Sequence, residues 1–277
     1  MKRRAILLAS AILLSTLGLV QAQQGELHGL IDVTFQSRYL WRGFNIYEDK
    51  SAIQPAIDLD LFRTGFGIST MGHRANSSGF EDWERWDLSA YYYNRLFINE
   101  PHVTDYKVSW VYYCFPDLPE DLANLQEVNA ILSWPKILST EGLVPSYVAA
   151  KMWPSSSSSL VSHRLDLTTG GPSSGTASGW FHILMLDYAW PINGMVPEIP
   201  EHKLNLHAEL VYNDGVGPQG QNVDHDWSNA VFGISTDIDL GKNFTFTPAL
   251  YYQITMEKTV NPNGDETWAS LSVKYKF

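Results

Sequence analysis

Cysteine is nearly absent from this chain: Cys114 is the one thiol in 277 residues, which excludes an intrachain disulfide. It falls on the apolar side of an expected strand and reads as a small hydrophobe rather than a reactive thiol. Basic residues are also scarce. Three of the 19 Lys and Arg occupy positions 2–4, leaving 16 to face 30 Asp and Glu. That sign disfavours a nucleic-acid partner and suits either a cation-preferring site or well-solvated loops. Beyond residue 22 no stretch approaches 18 uninterrupted apolar residues, so no helix crosses a membrane there. Helical periodicity is missing almost throughout. If the chain sits in a membrane it must do so as a closed barrel, the other architecture that satisfies every backbone group in lipid.

The N-terminus gives a reason to expect a membrane. Lys2, Arg3 and Arg4 precede an apolar run from Ala5 to Val20, and Val20-Gln21-Ala22 offers small residues where a signal peptidase reads. The run is short for a spanning helix, so residues 1–22 are expected to be a cleaved signal peptide rather than a retained anchor. Residues 23–277 are then the folded unit. No cysteine follows the cleavage site, which argues against a lipoprotein.

What recurs is alternation of period two. Ile31, Val33, Phe35, Tyr39 and Trp41 share one parity, while Asp32, Thr34, Gln36, Arg38 and Arg42 share the other. In a strand each set takes one face. Similar patterns lie at Ile53–Leu61, Trp86–Tyr93, Asp105–Tyr112, Glu127–Trp134, Leu204–Asn213 and Phe244–Thr255. Weaker strands fit about 65–74, 143–153, 179–190 and 227–239, and a last strand runs to Phe277. The expected fold is all-β: a transmembrane antiparallel β-barrel of about 12 strands, with 10–14 as the range.

A soluble sandwich also alternates, so three further features decide. With a periplasmic N-terminus, the Ser/Gly-rich stretch Pro154–Ser178 and the acidic stretch Asn213–Asp226 become outer loops. Tight turns near Arg63-Thr64-Gly65 and Leu240-Gly241-Lys242 become inner ones, although Pro135–Gly142 and Pro191–Lys203 are long for inner connections. Ten Trp and 14 Tyr supply the residues that favour membrane interfaces. Trp41, Trp83, Trp86, Trp153, Trp180, Trp227 and Trp268 fall near the outer rim, with Trp227 and Trp268 on the lumen parity; Trp134 and Trp190 fall near the inner rim. Finally, Leu271, Val273, Tyr275 and Phe277 alternate with Ser272, Lys274 and Lys276. Such an ending resembles the signal read by the outer-membrane barrel assembly machinery, an expected partner beside the outer-membrane lipids.

The segment Phe35–Phe44, followed by Gln54-Pro55-Ala56-Ile57-Asp58, resembles the opening of the TorF family of porin-like outer-membrane barrels, a conserved hypothetical family. Ser37, Tyr39, Arg42 and Gly43 match its S-x-Y-x-x-R-G strand element. Asp105–Val108 leading to Tyr112-Tyr113, and Asp226-Trp227 through Val231–Ser235, resemble its middle and late strands. The Ser155–Ser159 tract and the loop after it depart from the pattern. The resemblance implies a barrel and a porin-like role in the outer membrane.

Enzymatic sets were sought and none is expected as a catalytic site. Ser162-His163, and His73 with Ser77-Ser78, are the local candidates for a lipid-modifying enzyme; both sit in or beside Ser-rich loops. His182 lies on an apolar face and reads as an interfacial residue rather than a metal ligand. Asp214, Asp224, Asp226 and His225 have oxygen and nitrogen ligands for Ca²⁺ but no known loop spacing, so a solvated loop is the simpler reading. No cofactor or metal is expected. The informative polar set is Asp32, Arg38, Arg42, Asp58, Asp60, Asp87, Asp105, Lys107, Glu127 and Glu209. A basic residue facing lipid at the midplane costs about 2–4 kcal/mol, so this set should line the lumen. Two possibilities remain open at this point: the charges line a conduit, or they pair and plug it. The expected function is a porin or channel for small polar solutes. The alternative is a non-conducting structural barrel that binds a partner through residues 154–178 and 213–226. Oligomeric state is not legible in the sequence.

Overall fold

The computed structural model describes residues 27–155, 165–166, 171–172, 178–196, 199–217 and 223–277. Twelve long strands follow in chain order: β1 (His28–Gln36), β2 (Ala52–Asp60), β3 (Phe66–Ala75), β4 (Arg85–Leu96), β5 (Thr104–Cys114) and β6 (Leu125–Ser133). After them come β7 (Leu143–Pro154), β8 (Gly179–Val196), β9 (Ile199–Asp214), β10 (His225–Thr236), β11 (Phe244–Thr255) and β12 (Glu266–Lys276). Each pairs antiparallel with its chain neighbours, and β1 pairs with β12 from Leu30↔Lys276 to Gln36↔Ser270, so the sheet closes on itself. Closure leaves no strand edge with unpaired backbone groups. Two short helical turns, Glu81–Trp83 and Glu120–Ala123, cap connections. No helix among the described residues is long and apolar enough to cross a membrane, which says nothing against crossing with strands.

Alternation explains the two faces. Ile31, Val33 and Phe35 of β1, Leu88 of β4, Val108 of β5, Leu184 and Leu186 of β8, and Leu250 and Ile254 of β11 all stand exposed on the outside. A soluble protein does not spread so many large apolar side chains over one continuous surface. The inward parity carries Gln54, Ser109, Glu127, Ser146, Asn213, Gln253, Ser270 and Ser272, all buried. Polar inside and apolar outside is the arrangement of a barrel whose solvent is lipid.

The two ends of the described barrel, the start of β1 and Phe277, meet at one rim, where Gly29 and Phe277 exchange backbone hydrogen bonds of 2.9 and 3.0 Å. Turns at this rim are tight where left-handed residues allow it: Phe62, Arg63 and Gly65 in one, Gly241, Lys242 and Asn243 in another. The stretch Pro191–Lys203, expected as a long connection, is instead strand over Pro191–Val196 and Ile199–Lys203. Pairing of β8 with β9 continues from Pro191↔Lys203 to Val196↔Ile199, so this hairpin projects beyond the rim.

Three tryptophans depart from their expected faces: Trp227, Trp83 and Trp41, the last in the loop described below. Trp227 has lumen parity, but a bulge at Ser228 of β10, opposite Val211 and Tyr212 of β9, lets Ser228 and Asn229 both turn inward. Trp227 is thereby thrown to the outside, where its ring packs edge-on against Tyr212 at 5.4 Å. Trp83 joins neither girdle; it packs against the buried cluster beneath the rim opposite the termini. Trp268 does point inward, stacked on Tyr251 at 5.1 Å.

Candidate functional site: a loop folded into the lumen

The largest correction concerns residues 37–51. Alternation through Trp41 and Arg42 suggested one strand over 31–42, yet β1 stops at Gln36 and the chain turns into the barrel. Ser37 makes the corner by donating its amide to the Ala269 carbonyl at 2.9 Å, while its hydroxyl accepts from the Ala269 amide at 2.9 Å. A two-residue ladder, Leu40↔Asn45 and Trp41↔Phe44, folds the loop back on itself around Arg42 and Gly43, both with positive φ. The pattern failed because a side chain buried in a plug obeys the same polarity rule as one facing lipid. Tyr39 and Trp41 are inside.

The loop crosses the lumen near the rim opposite the termini. Tyr39, Phe44, Ile46 and Tyr47 form one apolar cluster with Val111, Tyr113, Leu125, Ala150, Met152, Phe181 and Val211 of the wall. The hydrophobic core of this barrel therefore lies between plug and wall. Tyr39 stacks on His73 of β3 at 4.9 Å, and Trp41 meets Tyr113 and Phe181 edge-on at 6.0 and 5.7 Å. Tyr47 donates its hydroxyl to the His73 carbonyl at 2.8 Å.

Ion pairs lock one side. Arg42 Nη2 donates to Glu127 Oε1 of β6 at 2.7 Å, and its guanidinium lies 4.5 Å from the Phe181 ring centre and 4.8 Å from that of Trp41. Glu127 also accepts from Tyr113 Oη at 2.9 Å and Asn129 Nδ2 at 2.8 Å. Burial works against the charge on Arg42, but the adjacent Glu127 carboxylate more than offsets this and holds the guanidinium above its ordinary pKa. Next to it Arg85 donates through Nη2 to Tyr39 Oη at 3.1 Å and to Asp87 Oδ2 at 3.0 Å. His73 bridges Asp87 Oδ2 at 2.9 Å and Gln54 Nε2 at 2.7 Å. Burial raises the pKa of the Tyr39 and Tyr47 hydroxyls well above the usual tyrosine value, so both stay protonated.

The opposite side is held differently. Arg38 pairs with Glu266 of β12, and its Nε lies 3.4 Å from Asp49. The Gly43 carbonyl accepts from Gln253 Nε2 at 2.8 Å and Asn261 Nδ2 at 2.9 Å. Gly43 is required here twice over: its φ is +89°, and a Cβ would stand 2.1 Å from Asn229 Oδ1. The loop thus touches β3 to β6, β8 and β10 to β12.

Below the plug the lumen opens toward the termini as two cavities of about 740 and 400 Å³. The larger is lined by Tyr91, Tyr93, Arg95, Asp105 and Lys107 among others. Arg95 holds Asp105 in a fork, with Nη2 2.7 Å from Oδ2. Lys107 Nζ sits 3.9 Å over the Tyr91 ring, whose hydroxyl donates to Asp58 at 2.5 Å. Tyr93 does the same to Asp60 at 2.9 Å. In the smaller cavity His207 Nδ1 lies 2.7 Å from Asp187 Oδ1 and its Nε2 lies 3.8 Å from Glu209. Asp32 accepts from Thr34 and from Ser272 of β12, at 3.1 and 2.6 Å.

The ten polar positions singled out from the sequence thus divide. Arg38 and Arg42 belong to the plug, Asp87 and Glu127 to the wall that grips it, and Asp32, Asp58, Asp60, Asp105, Lys107 and Glu209 to the lumen beneath. Sequence reasoning missed Tyr39, Trp41, Arg85, His73, Asn229, Gln253 and Glu266 as partners of one site. The available signal was the Arg42-Gly43 pair and the polar run Glu48-Asp49-Lys50, too long for a hairpin turn.

The enzymatic and metal candidates are placed as well. Both His73 ring nitrogens bond Gln54 and Asp87 rather than a serine. His182 takes Tyr147 Oη at 2.6 Å on the outer face and stacks on Trp180. His225 pairs with Asp214. Among the described residues no group of three or more His, Cys, Asp or Glu side chains stands ready for a metal. Ser162-His163 and most of residues 154–178 lie outside the described residues, as does the middle of the 213–226 loop.

No family model and no curated protein sequence matches the chain. Solved structures do. A KdgM porin, 12% identical, aligns over 90% of this chain and 99% of its own with a TM-score of 0.51. A KdgM porin in complex with disordered oligogalacturonate aligns over the same shares at a TM-score of 0.50 and 12% identity. An outer membrane channel from Pseudomonas putida F1 aligns over 92% of this chain and 97% of its own, with 12% identity and a TM-score of 0.51. At such identity the likeness is one of fold: the closed antiparallel barrel is shared from end to end.

Proposed function

We propose that this protein is an outer-membrane channel for small polar solutes whose passage is restricted by the inward-folded loop 37–51. The single observation that carries the reading is the arrangement of the lumen. It is polar and open from one rim, and at the other rim a loop of the chain itself crosses it, held by the Arg42–Glu127 and Arg38–Glu266 pairs. A barrel that serves only as a scaffold gains nothing from an open half-lumen of this size. The fold shared with the KdgM porin and the Pseudomonas channel supports the reading, as does the resemblance of the opening segment to the TorF family. The apolar outer face and the expected signal peptide support placement in the outer membrane. The alternating C-terminal strand to Phe277 suits recognition by the barrel assembly machinery.

The plug also favours a second reading, a non-conducting barrel that acts through its long loops. One experiment separates the two. The refolded chain and a variant with residues 39–49 replaced by a short Gly/Ser turn are placed in planar bilayers, with heat-modifiable gel mobility proving that each barrel has folded. The channel reading expects small or rare steps from the intact chain and large, frequent steps from the variant. A folded but silent variant overturns it and turns attention to the loops.

A further inference from the structure

The two sides of the plug differ in chemistry, and the difference points to a path and a class of solute. On the β4–β6 side the polar contacts of the loop involve charge: Arg42 pairs with Glu127, and Arg85, itself held by Asp87, donates to the Tyr39 hydroxyl. On the β10–β12 side the tip meets carboxamides. Gln253 and Asn261 donate to the Gly43 carbonyl, Asn263 Oδ1 accepts from the Asn45 amide at 3.1 Å, and Asn45 Nδ2 donates to Glu266 at 3.2 Å. Asn229 crowds Gly43 from β10. Arg38, Asp49 and Glu266, which lie on this side, pair among themselves.

Hydrogen bonding along the seam is incomplete. Ser228 and Asn229 are fully buried, yet Ser228 Oγ and both polar side-chain atoms of Asn229 have no partner among the described residues. Gln253 Oε1, equally buried, is unpartnered too. Buried polar groups without partners favour any rearrangement that supplies them. On the charged side Arg42 Nη1 and Asn129 Oδ1 are unpartnered as well, but those side chains each bond Glu127 through another atom, whereas the Ser228 and Asn229 side chains make no hydrogen bond among the described residues.

We infer that neutral, hydroxyl-rich solutes pass, when the loop tip withdraws, along the seam between Gly43 and the Ser228, Asn229, Gln253 and Asn261 side chains. This rests on the channel reading above and adds the route and the solute class. A carboxamide both donates and accepts, so Asn229, Gln253 and Asn261 can meet a hydroxyl in either sense. Solute hydroxyl oxygens take the place of the Gly43 carbonyl as acceptors for Gln253 and Asn261. Unpartnered Ser228 Oγ and Asn229 supply further bonds. An ion entering the same gap loses its water, and the Arg38, Asp49 and Glu266 charges on this side are already paired.

The test is swelling of proteoliposomes in isotonic D-glucose and in sodium gluconate, a charged probe of the same size. Intact protein is expected to admit glucose about ten-fold faster than gluconate. Asn229→Leu and Gln253→Leu, each checked for folding by heat-modifiable mobility, are expected to slow glucose about ten-fold. The milder Asn229→Ser and Gln253→Asn variants guard against misfolding and should retain most of the glucose rate. Equal entry of glucose and gluconate, or folded leucine variants with unchanged glucose rates, overturns the inference while leaving the channel reading intact. A loop-replaced variant that admits neither probe overturns both.

Discussion

At the scale of single residues, Glu127 matters most. Its carboxylate is fully buried and receives Arg42, Tyr113 and Asn129 at once. Removing one partner of such a pair leaves an uncompensated buried charge, a loss of about 3–5 kcal/mol. Glu127→Gln is therefore expected to release the loop, seen as new tryptic cleavage at Arg38 or Lys50 in the folded barrel. The double variant Arg42→Leu/Glu127→Leu removes both charges and should regain resistance, because well-packed apolar replacements of buried pairs are often neutral. Equal protease resistance of Glu127→Gln and the parent would show that the pair does not hold the plug.

At the scale of the element, the loop behaves as one unit with a predictable response to alkali. Tyr39 and Tyr47 are buried in the docked loop, and burial raises both hydroxyl pKa values above the ordinary 10.0. A group whose pKa is raised in the docked state favours docking fully below its free value and loses that contribution as pH climbs past it. Docking is thus expected to be constant from pH 7 to 9 and to weaken above about pH 10. Loop accessibility to protease pulses, or the frequency of conductance steps, should rise over that window. A Tyr39→Phe/Tyr47→Phe variant should lose the response. The element also shows where sequence reading stopped. Ile31, Val33 and Phe35 face outward as their parity requires, whereas Tyr39 and Trp41, of the same parity, lie inside. Period two records only that neighbouring side chains meet different surroundings. It does not distinguish lipid from the interior of a plug, and the exit of the chain at Ser37 depends on Ala269, more than 200 residues away.

At the scale of the whole molecule, the outer surface must satisfy lipid. Leu250 stands on the lipid face near the middle of β11, with 52% of its surface exposed. Leu250→Lys is expected to cost about 2–4 kcal/mol of stability in vesicles, measured by reversible urea unfolding. Ala249→Lys, one position along and facing the lumen, should cost much less. A similar loss for both would contradict the assignment of faces. The same alternation made most of the barrel legible: strand number, the outward set on β1, β4 and β11, and the tight turns at 61–65 and 240–243 follow from short-range steric and polar rules. The displacement of Trp227 by a bulge and the extension of β8 and β9 beyond the rim do not.

The sequence by itself determined that this chain closes into a barrel with an apolar outside and a charged interior. Those properties depend on parity, on turn chemistry and on the cost of leaving backbone groups unpaired in lipid, all local to each strand. Only the tertiary structure decided what the interior charges do. Arg42 finds Glu127, Arg38 finds Glu266 and Gly43 finds Asn229 across gaps of 85 to 228 positions in the chain. Pairings at that separation exist only once twelve strands have enclosed a space, because the packing that selects them is a property of the enclosed space and not of any one strand.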